Sequence, residues 1–309
     1  MHGRNEVVTA GESDDWLAMR HACGVSGLDP GGGRLIHHYS NAIYLLPAQN
    51  AVARVTRGRD ALGQVSRSQA VTRWLVRALQ FPATEPLDGT GPVVIDGAVV
   101  SFWAYYPQSL DDPPPNSGHL AAVLRLLHQA EAPPVALPAW VPLESLDATI
   151  EDAQLSAVLT GDERAWISNQ IGEMRDAIAG LDWPLGHGLI HGDAWAGNLL
   201  SCAGAVPAGV VLGDWDWVSV GPREVDLIPT WHAAARYGKG SGWITDFVRR
   251  YGYDLATWDG CQVLMTMRDL VQLTGPIRRA HDGGRYRQAL RQRLDGLRAG
   301  DTSTIWTAL

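Results

Sequence analysis

Cysteine is scarce in this sequence: Cys23, Cys202 and Cys261 are the only three among 309 residues. Their odd number and wide spacing exclude a disulfide framework and paired metal-ligand spacing, so they read as reduced packing residues. No run of about eighteen apolar residues occurs, which excludes a membrane-spanning helix. Polar and charged residues fill the N-terminus through Trp16, leaving no apolar signal core, and a cytoplasmic location is expected. Positive charge is not in excess either. With a net charge of −8 and a pI near 5.6, neither nucleic acid nor a membrane surface is an expected partner, whereas an acidic field favours a cationic substrate. Internal repeats are absent. So are the G-x-G-x-x-G and G-x-x-x-x-G-K-[ST] patterns, and Gly31, Gly32 and Gly33 therefore read as a flexible connector rather than a phosphate cradle.

What is present points to two lobes around one chemical stretch, since 309 residues bury a sizeable core without a metal or disulfide staple. Residues 189–200 read Leu-Ile-His-Gly-Asp-Ala-Trp-Ala-Gly-Asn-Leu-Leu, and 210–217 read Val-Val-Leu-Gly-Asp-Trp-Asp-Trp. An apolar strand delivers Asp193, a small-residue turn returns the chain, Asn198 follows, and a second apolar strand ends in Asp214. Phosphoryl transfer needs an Asp to accept a hydroxyl proton, then an Asn and a second Asp to hold magnesium on nucleotide phosphates. Two buried strands with ordinary turn Asp and Asn residues are the plainer alternative.

This order and spacing resemble the aminoglycoside phosphotransferase and choline kinase-like family. The resemblance implies an α+β, bilobal protein-kinase-like fold: a small antiparallel β-sheet N-lobe with one helix, and a mainly helical C-lobe. The expected divisions are an N-terminal helical extension over 1–29, a nucleotide-binding lobe and hinge over 30–107, and a catalytic and acceptor-binding lobe over 108–309. ATP or GTP and Mg2+ are the implied cofactors, with Asp193 as catalytic base and Asn198 and Asp214 as metal ligands. His191 is expected to pack and hydrogen-bond the loop. Asp216 shares a side with Asp214 if the strand continues, where it meets a second metal, a cationic substrate or solvent. Trp195 stands beside the expected acceptor pocket, as a stacking platform or as a shield for the loop. The element 221–227, Gly-Pro-Arg-Glu-Val-Asp-Leu, implies a helix whose buried Asp226 braces the catalytic loop, although an Asp near a helix start also stabilises it by capping.

Ahead of this stretch, residues 13–27 predict a short helix opened by Ser13, and 34–46 and 51–56 predict two strands around Pro47 to Asn50. In the resemblance Ser40 caps a phosphate; on the residues alone it is equally a polar kink. His37 and His38 alternate faces, so at most one faces the site. Arg54 occupies the position of the family's phosphate-contacting Lys, and the helix predicted over 66–80 carries Ser68 where a Glu normally pairs with that Lys. Arg54 is therefore either held by another acid or solvated. Residues 93–100 predict a hairpin with an Asp-Gly turn. Trp103 to Tyr106 is the expected hinge, with Trp103 and Tyr105 beside the nucleotide, and the proline run after it is the exit. Helical stripes follow at Leu120 to Leu127 and over 161–180, separated by an irregular proline-rich loop. The tail from 230 to 309 reads as helical, with Leu290, Leu294 and Leu297 on one face and a solvated basic face elsewhere.

The leading function is a phosphotransferase moving the γ-phosphate of a nucleotide to a hydroxyl of a small molecule, in antibiotic resistance or in metabolism. A kinase for Ser or Thr of a peptide in a natural-product pathway, and a nucleotide-binding pseudokinase acting as a partner protein, are the alternatives.

Overall fold

The computed structural model describes residues 13–309; of the extension expected over 1–29, residues 1–12 lie outside the described residues. Ser13 accepts the Trp16 amide and caps helix α1 (Asp14–Ser26), which stops where Gly27 enters the left-handed region at φ 68°. Strands β1 (Arg34–His38) and β2 (Ala42–Leu46) follow as a hairpin through residues 39–41. The single strand expected over 34–46 is therefore two, because Ser40 and Asn41 favour a turn over a continued ladder. Next come β3 (Ala51–Arg57), helix α2 (Ala61–Leu79), β4 (Val93–Ile95) and β5 (Ala98–Ala104). Helix α2 begins at Ala61 rather than at 66, since Gly63 and the polar Gln64 interrupt the apolar stripe that Ala61 and Val65 start. Asp96 and Gly97, at φ 46° and 76°, make the expected tight turn between β4 and β5.

These strands form an antiparallel sheet of order β1-β2-β3-β5-β4. Strand alternation divides its faces. Ala53 and Val55 of β3 and Val100 and Phe102 of β5 pack with Met19, Ala22 and Cys23 of α1. Val52, Arg54 and Thr56 of β3 take the opposite face, and Val99 there packs on Ala61 and Val65 of α2. Burial pushes the Cys23 thiol up to about 11, assisted by Asp29, as suits a packing residue.

The second lobe is built from helices α3 (Ser117–Leu127), α4 (Glu144–Glu151) and α5 (Gly161–Ala179), then strands β6 (His187–Ile190), β7 (Leu199–Ser201), β8 (Val210–Leu212) and β9 (Ser219–Pro222). Helices α6 (Glu224–Arg236), α7 (Gly240–Tyr251), α8 (Cys261–Val271), α9 (Thr274–Arg278) and α10 (Gly284–Arg298) complete it. Capping boxes at Asn116 and Thr160 start α3 and α5. Helix α4 falls inside the stretch expected to be irregular; it starts just beyond Pro142 and buries Leu146 and Ile150, a short apolar stripe masked by the prolines before it. Strands β6 and β9 pair, and β7 and β8 pair, each antiparallel. Among the described residues no helix is long and apolar enough to cross a membrane.

The two lobes are stitched together where the segment after α2 meets β8: Thr84 N–H donates to Leu212 O at 2.9 Å and Leu212 N–H to Pro82 O at 2.8 Å. Val71 and Leu75 of α2 also belong to the core that holds α3, α5 and α6. The tail departs from the expected helix at Arg298. Residues 299–309 return to lay Trp306 against the guanidiniums of Arg236 and Arg293, at 4.6 and 5.2 Å. Nor is the basic face of α10 wholly solvated. Arg293 is buried and donates to the carbonyls of Gln272 and Thr307, while Arg291 pairs with Glu163.

Candidate active site

Strand β6 ends in buried Ile190, and the chain then turns at Gly192, whose φ is 84°. A side chain there would collide with the Trp217 carbonyl, so the turn demands glycine. The carboxylate of Asp226, fully buried on α6, fixes this turn from behind by accepting the amides of His191 at 2.7 Å and Gly192 at 2.8 Å. His128 bridges Asp226, at 3.1 Å, to the Tyr251 hydroxyl, at 2.7 Å. His191 is buried with both ring nitrogens engaged: Nε2 donates to Gly213 O at 2.9 Å, and Nδ1 accepts the Asp193 amide at 3.3 Å. The loop thereby presents the Asp193 carboxylate at the cleft. Asn198 closes the loop, its Nδ2 donating to Asp193 O at 2.9 Å, and its carbonyl accepts the Gly213 amide at 2.8 Å, which ties the loop to Asp214.

Strand β8 stops at Leu212, so Asp216 does not reach the site by strand alternation. Asp214 takes the left-handed region at φ 59°, and a single 3-10 turn over Trp215–Trp217 brings Asp216 around. Buried Trp215 anchors that turn through Nε1 to Leu212 O at 2.8 Å and an edge contact with Phe81. Both carboxylates then meet Arg54 across the cleft. The guanidinium makes a forked pair with Asp216, one arm at 2.8 Å, and reaches Asp214 at 3.1 Å. Burial works against the Arg54 cation, but the charges of Asp216 and Asp214 outweigh it and hold its pKa above the usual value. Partial loss of solvation beside Arg54 pushes the Asp214 carboxyl up against the pull of that cation, and the like charges of Asp216 and Asp193 add to the rise, although the side chain stays 49% exposed. Asp214 and Asp216 thus face one cation across the cleft, with the charge of Asp193 near enough to act on Asp214; among the described residues no group of three or more His, Cys, Asp or Glu side chains is gathered closely enough to hold a metal ion by itself.

A family model described as the phosphotransferase enzyme family, APH, matches residues 33–264, from the connector before β1 into α8. The chain belongs to this family. It is accordingly a phosphotransferase, and its fold recurs in solved structures of kinases. A microcompartment-associated aminopropanol kinase superposes with a TM-score of 0.68 at 16% identity, covering 93% of this chain and 99% of that one. The GDP and kanamycin complex of APH(2")-IIia gives 0.63 at 12%, with 93% and 99% covered. Choline kinase LicA from Streptococcus pneumoniae gives 0.60 at 13%, with 92% and 98% covered. No curated protein matches in sequence.

Within this phosphotransferase the remaining predicted residues divide. Ser40 lies exposed at the tip of the β1–β2 hairpin. His37 faces the cleft, where burial lowers its pKa, Asp214 opposes the shift and Arg279 adds to it; His38 turns away to Asp15 at 4.0 Å. The side chains of Ser68 and Gln69 of α2 are buried without hydrogen-bond partners among the described residues. Helix α2 therefore offers Arg54 no acid at that position, although Gln64 Nε2 does bond Asp216 O at 3.2 Å. The expected hinge stretch, 103–106, leads out of β5. Trp103 is buried with its indole on Ser101, and the amides of Ala104 and Tyr105 are already bonded to Glu85 O and Asn50 O, at 2.8 and 3.1 Å, so the Tyr105 amide is not free for a base. Trp195 lays its ring over Gly197 and remains 48% exposed.

Two contacts had no sequence signal. Asn41, with its amide oriented to satisfy both neighbours, accepts from Arg54 Nε at 3.2 Å and donates to Thr56 Oγ1 at 3.0 Å. Arg268 of α8 lies 2.8 Å from Asp193 Oδ1. The chain's single lysine, Lys239, sits just before α7 against Trp243, so the cation opposite the carboxylates is an arginine.

Proposed function

We propose that this phosphotransferase moves the γ-phosphate of ATP or GTP to a hydroxyl of a small molecule, with Asp193 as the base. The observation that carries the reading is the convergence of Asp193, Asn198 and Asp214 on one braced loop pair opposite Arg54. Solved relatives bound to GDP and kanamycin, or to ADP and spectinomycin, support a nucleotide donor and a small acceptor.

Asn198 and Asp214 suit a magnesium ion. The Asn198 side-chain oxygen accepts no hydrogen bond among the described residues, and Asp214 is crowded by like charge that a cation relieves. Magnesium, when bound, neutralises charge on the nucleotide phosphates. Arg54 exchanges part of its pairing with Asp216 for phosphate oxygens, and Ser40 with its neighbouring amides caps the phosphates from the hairpin tip. Asp216 remains for a second metal or for the acceptor, and Trp195 flanks the acceptor's entry. Asp193 orients the hydroxyl and takes its proton while the hydroxyl oxygen bonds to the γ-phosphorus. The bond to the bridging oxygen breaks, and its electron pair leaves with the diphosphate. His191 holds the loop and moves no proton.

Purified protein with Mg2+ and ATP or GTP is expected to release diphosphate slowly, and faster with a correct acceptor. Aminoglycosides, sugars, amino alcohols, hydroxy acids and peptides form the panel, read by mass shift. Nucleotide binding without magnesium-dependent turnover makes the chain a partner protein instead, and phosphorylation of peptides alone makes it a peptide kinase. Arg54→Ala is expected to weaken nucleotide binding by about tenfold or more, the worth of a charge-assisted fork to phosphate. Undiminished affinity in calorimetry removes Arg54 from the phosphate site.

A further inference from the structure

The ion pair between Asp193 and Arg268 bears on the acceptor's chemistry. Arg268 is the one basic residue among the described residues within ion-pair distance of Asp193, and its side chain is only 13% exposed. The pair is close without being aligned as a hydrogen bond: Asp193 Oδ1 and Arg268 Nε are both buried and lack hydrogen-bond partners among the described residues. The guanidinium thus meets the carboxylate through one arm and keeps Nε as donor capacity not yet used.

The segment that carries Arg268 has the opposite sign to the chain as a whole. Residues 261–298 carry eight arginines against three aspartates, a local charge of +5 in a chain of −8. Asp269 is committed to Arg236 and His232, and Asp282 to Arg279. This segment closes one side of the cleft, because it touches both the catalytic loop and the hairpin tip. Arg268 meets Asp193, the Tyr39 hydroxyl packs against Gly275, and Arg279 lies 4.6 Å over the Tyr39 ring with its Nη1 buried and unpartnered among the described residues.

An acceptor hydroxyl that bonds Asp193 competes with Arg268 for that carboxylate. A cationic acceptor would leave the guanidinium without a counter-charge and add a second cation beside it. A neutral acceptor would leave it unpaired. An acceptor bearing its own oxyanion satisfies both partners, because a planar guanidinium takes a carboxylate or phosphate through two parallel bonds.

We propose that the acceptor of this enzyme carries an oxyanion, a carboxylate or a phosphate, close to the hydroxyl that is phosphorylated, and that Arg268 receives it. The inference rests on the phosphotransferase reading above and narrows its substrate to hydroxy acids and their phosphate analogues. In the transfer step the hydroxyl oxygen bonds the γ-phosphorus, its proton passes to Asp193 and the diphosphate leaves with the electron pair, while the oxyanion stays unchanged on Arg268.

The test uses the full chain with Mg2+ and nucleotide and a matched series: glycerate, glycerol phosphate, glycerol and aminopropanediol, with gluconate, glucose and glucosamine as a larger set. Binding is read by calorimetry and turnover by diphosphate release. The acidic members are expected to bind about tenfold or more tighter than the neutral ones, and the amines weakest. Glycerate against glycerol phosphate distinguishes carboxylate from phosphate. In Arg268→Gln the preference should collapse, chiefly as a rise in KM, and Arg268→Lys should restore part of it. Equal binding of all members, or preference for the amines, overturns the proposal without needing any variant. A fall in kcat that is the same for every acceptor, with KM unchanged, also overturns it by assigning Arg268 to the transferred phosphate. Absence of diphosphate release from the wild type with every acceptor defeats the phosphotransferase reading instead, and the binding preference still decides the acidic acceptor.

Discussion

Asp193→Asn is expected to lower phosphoryl transfer by about 10²–10⁴-fold, the usual contribution of a positioned general base, while nucleotide affinity stays at the wild-type level. Asparagine keeps the shape of the side chain and an oxygen facing Arg268, so the substitution removes basicity with little else. The loop itself is held from other points: Asp226 grips the two amides before the base, His191 accepts the Asp193 amide, and Asn198 donates to its carbonyl. None of these bonds uses the Asp193 carboxylate. Single-turnover kinetics with an accepted substrate, alongside nucleotide titration, makes the measurement. Full transfer by Asp193→Asn would remove the residue from the base role, and a parallel loss of nucleotide binding would show that the substitution had disturbed the metal and phosphate side as well.

Much of this site was legible because its parts are local in the chain. Asp193 and Asn198 belong to one turn, Asp214 ends the next ribbon, and the Gly-Pro-Arg-Glu-Val-Asp run announces a buried acid; such spacings survive any change in the rest of the fold. The partners of these residues were not legible, since they arrive through tertiary contact. Arg54 was visible as a cation on a strand, but its acid, Asp216, lies 162 residues later and reaches it through a 3-10 turn rather than by alternation along a strand. Arg268 sits in a tail read only as helical, and nothing in its neighbours marks it as the counter-charge of Asp193. Trp103 and Tyr105 occupy the expected hinge stretch, yet the backbone there completes the sheet and its link to Asn50 and Glu85, a pairing that composition does not encode. Helix α4 was hidden for a simpler reason, as a short amphipathic segment immediately behind a run of prolines.

Charge gives the same lesson at larger scale. The net charge of the chain suggested a cationic acceptor, but net charge is a sum over a surface, whereas an acceptor meets only the wall beside Asp193. Beside Asp193 stands Arg268, on a segment whose charge is set by which arginines keep an acid. Arg236 is matched by Asp269, while Arg293 is buried with carbonyls and a phenol as its only hydrogen-bond partners among the described residues. Segregation of this kind comes from the order of residues along α8 to α10 and not from their number.

Asp226→Ala should be the most disruptive single substitution in the lobe, costing about 3–5 kcal/mol of stability as expected when one partner of a buried polar network is removed. The carboxylate is fully buried and serves three groups at once: the His191 amide, the Gly192 amide and His128 Nε2. Alanine leaves all three facing a dry space, where each unsatisfied donor costs roughly 1–3 kcal/mol. The turn at Gly192 offers no alternative route, because its positive φ and its contact with the Trp217 carbonyl leave no room for the chain to rotate its amides elsewhere. Asp226→Asn is expected to be milder but still damaging, since one end of the amide can accept while the other presents hydrogens to an N–H group. Activity should fall with stability in both variants, as the base is aimed by the two amides that Asp226 holds. Chemical denaturation gives the stability change, and transfer at a temperature well below each variant's Tm separates misaimed chemistry from unfolding. A variant of wild-type stability would mean that the network is replaced by water, and one with lost stability but intact low-temperature transfer would mean that Asp193 is aimed by Asn198 and His191 alone.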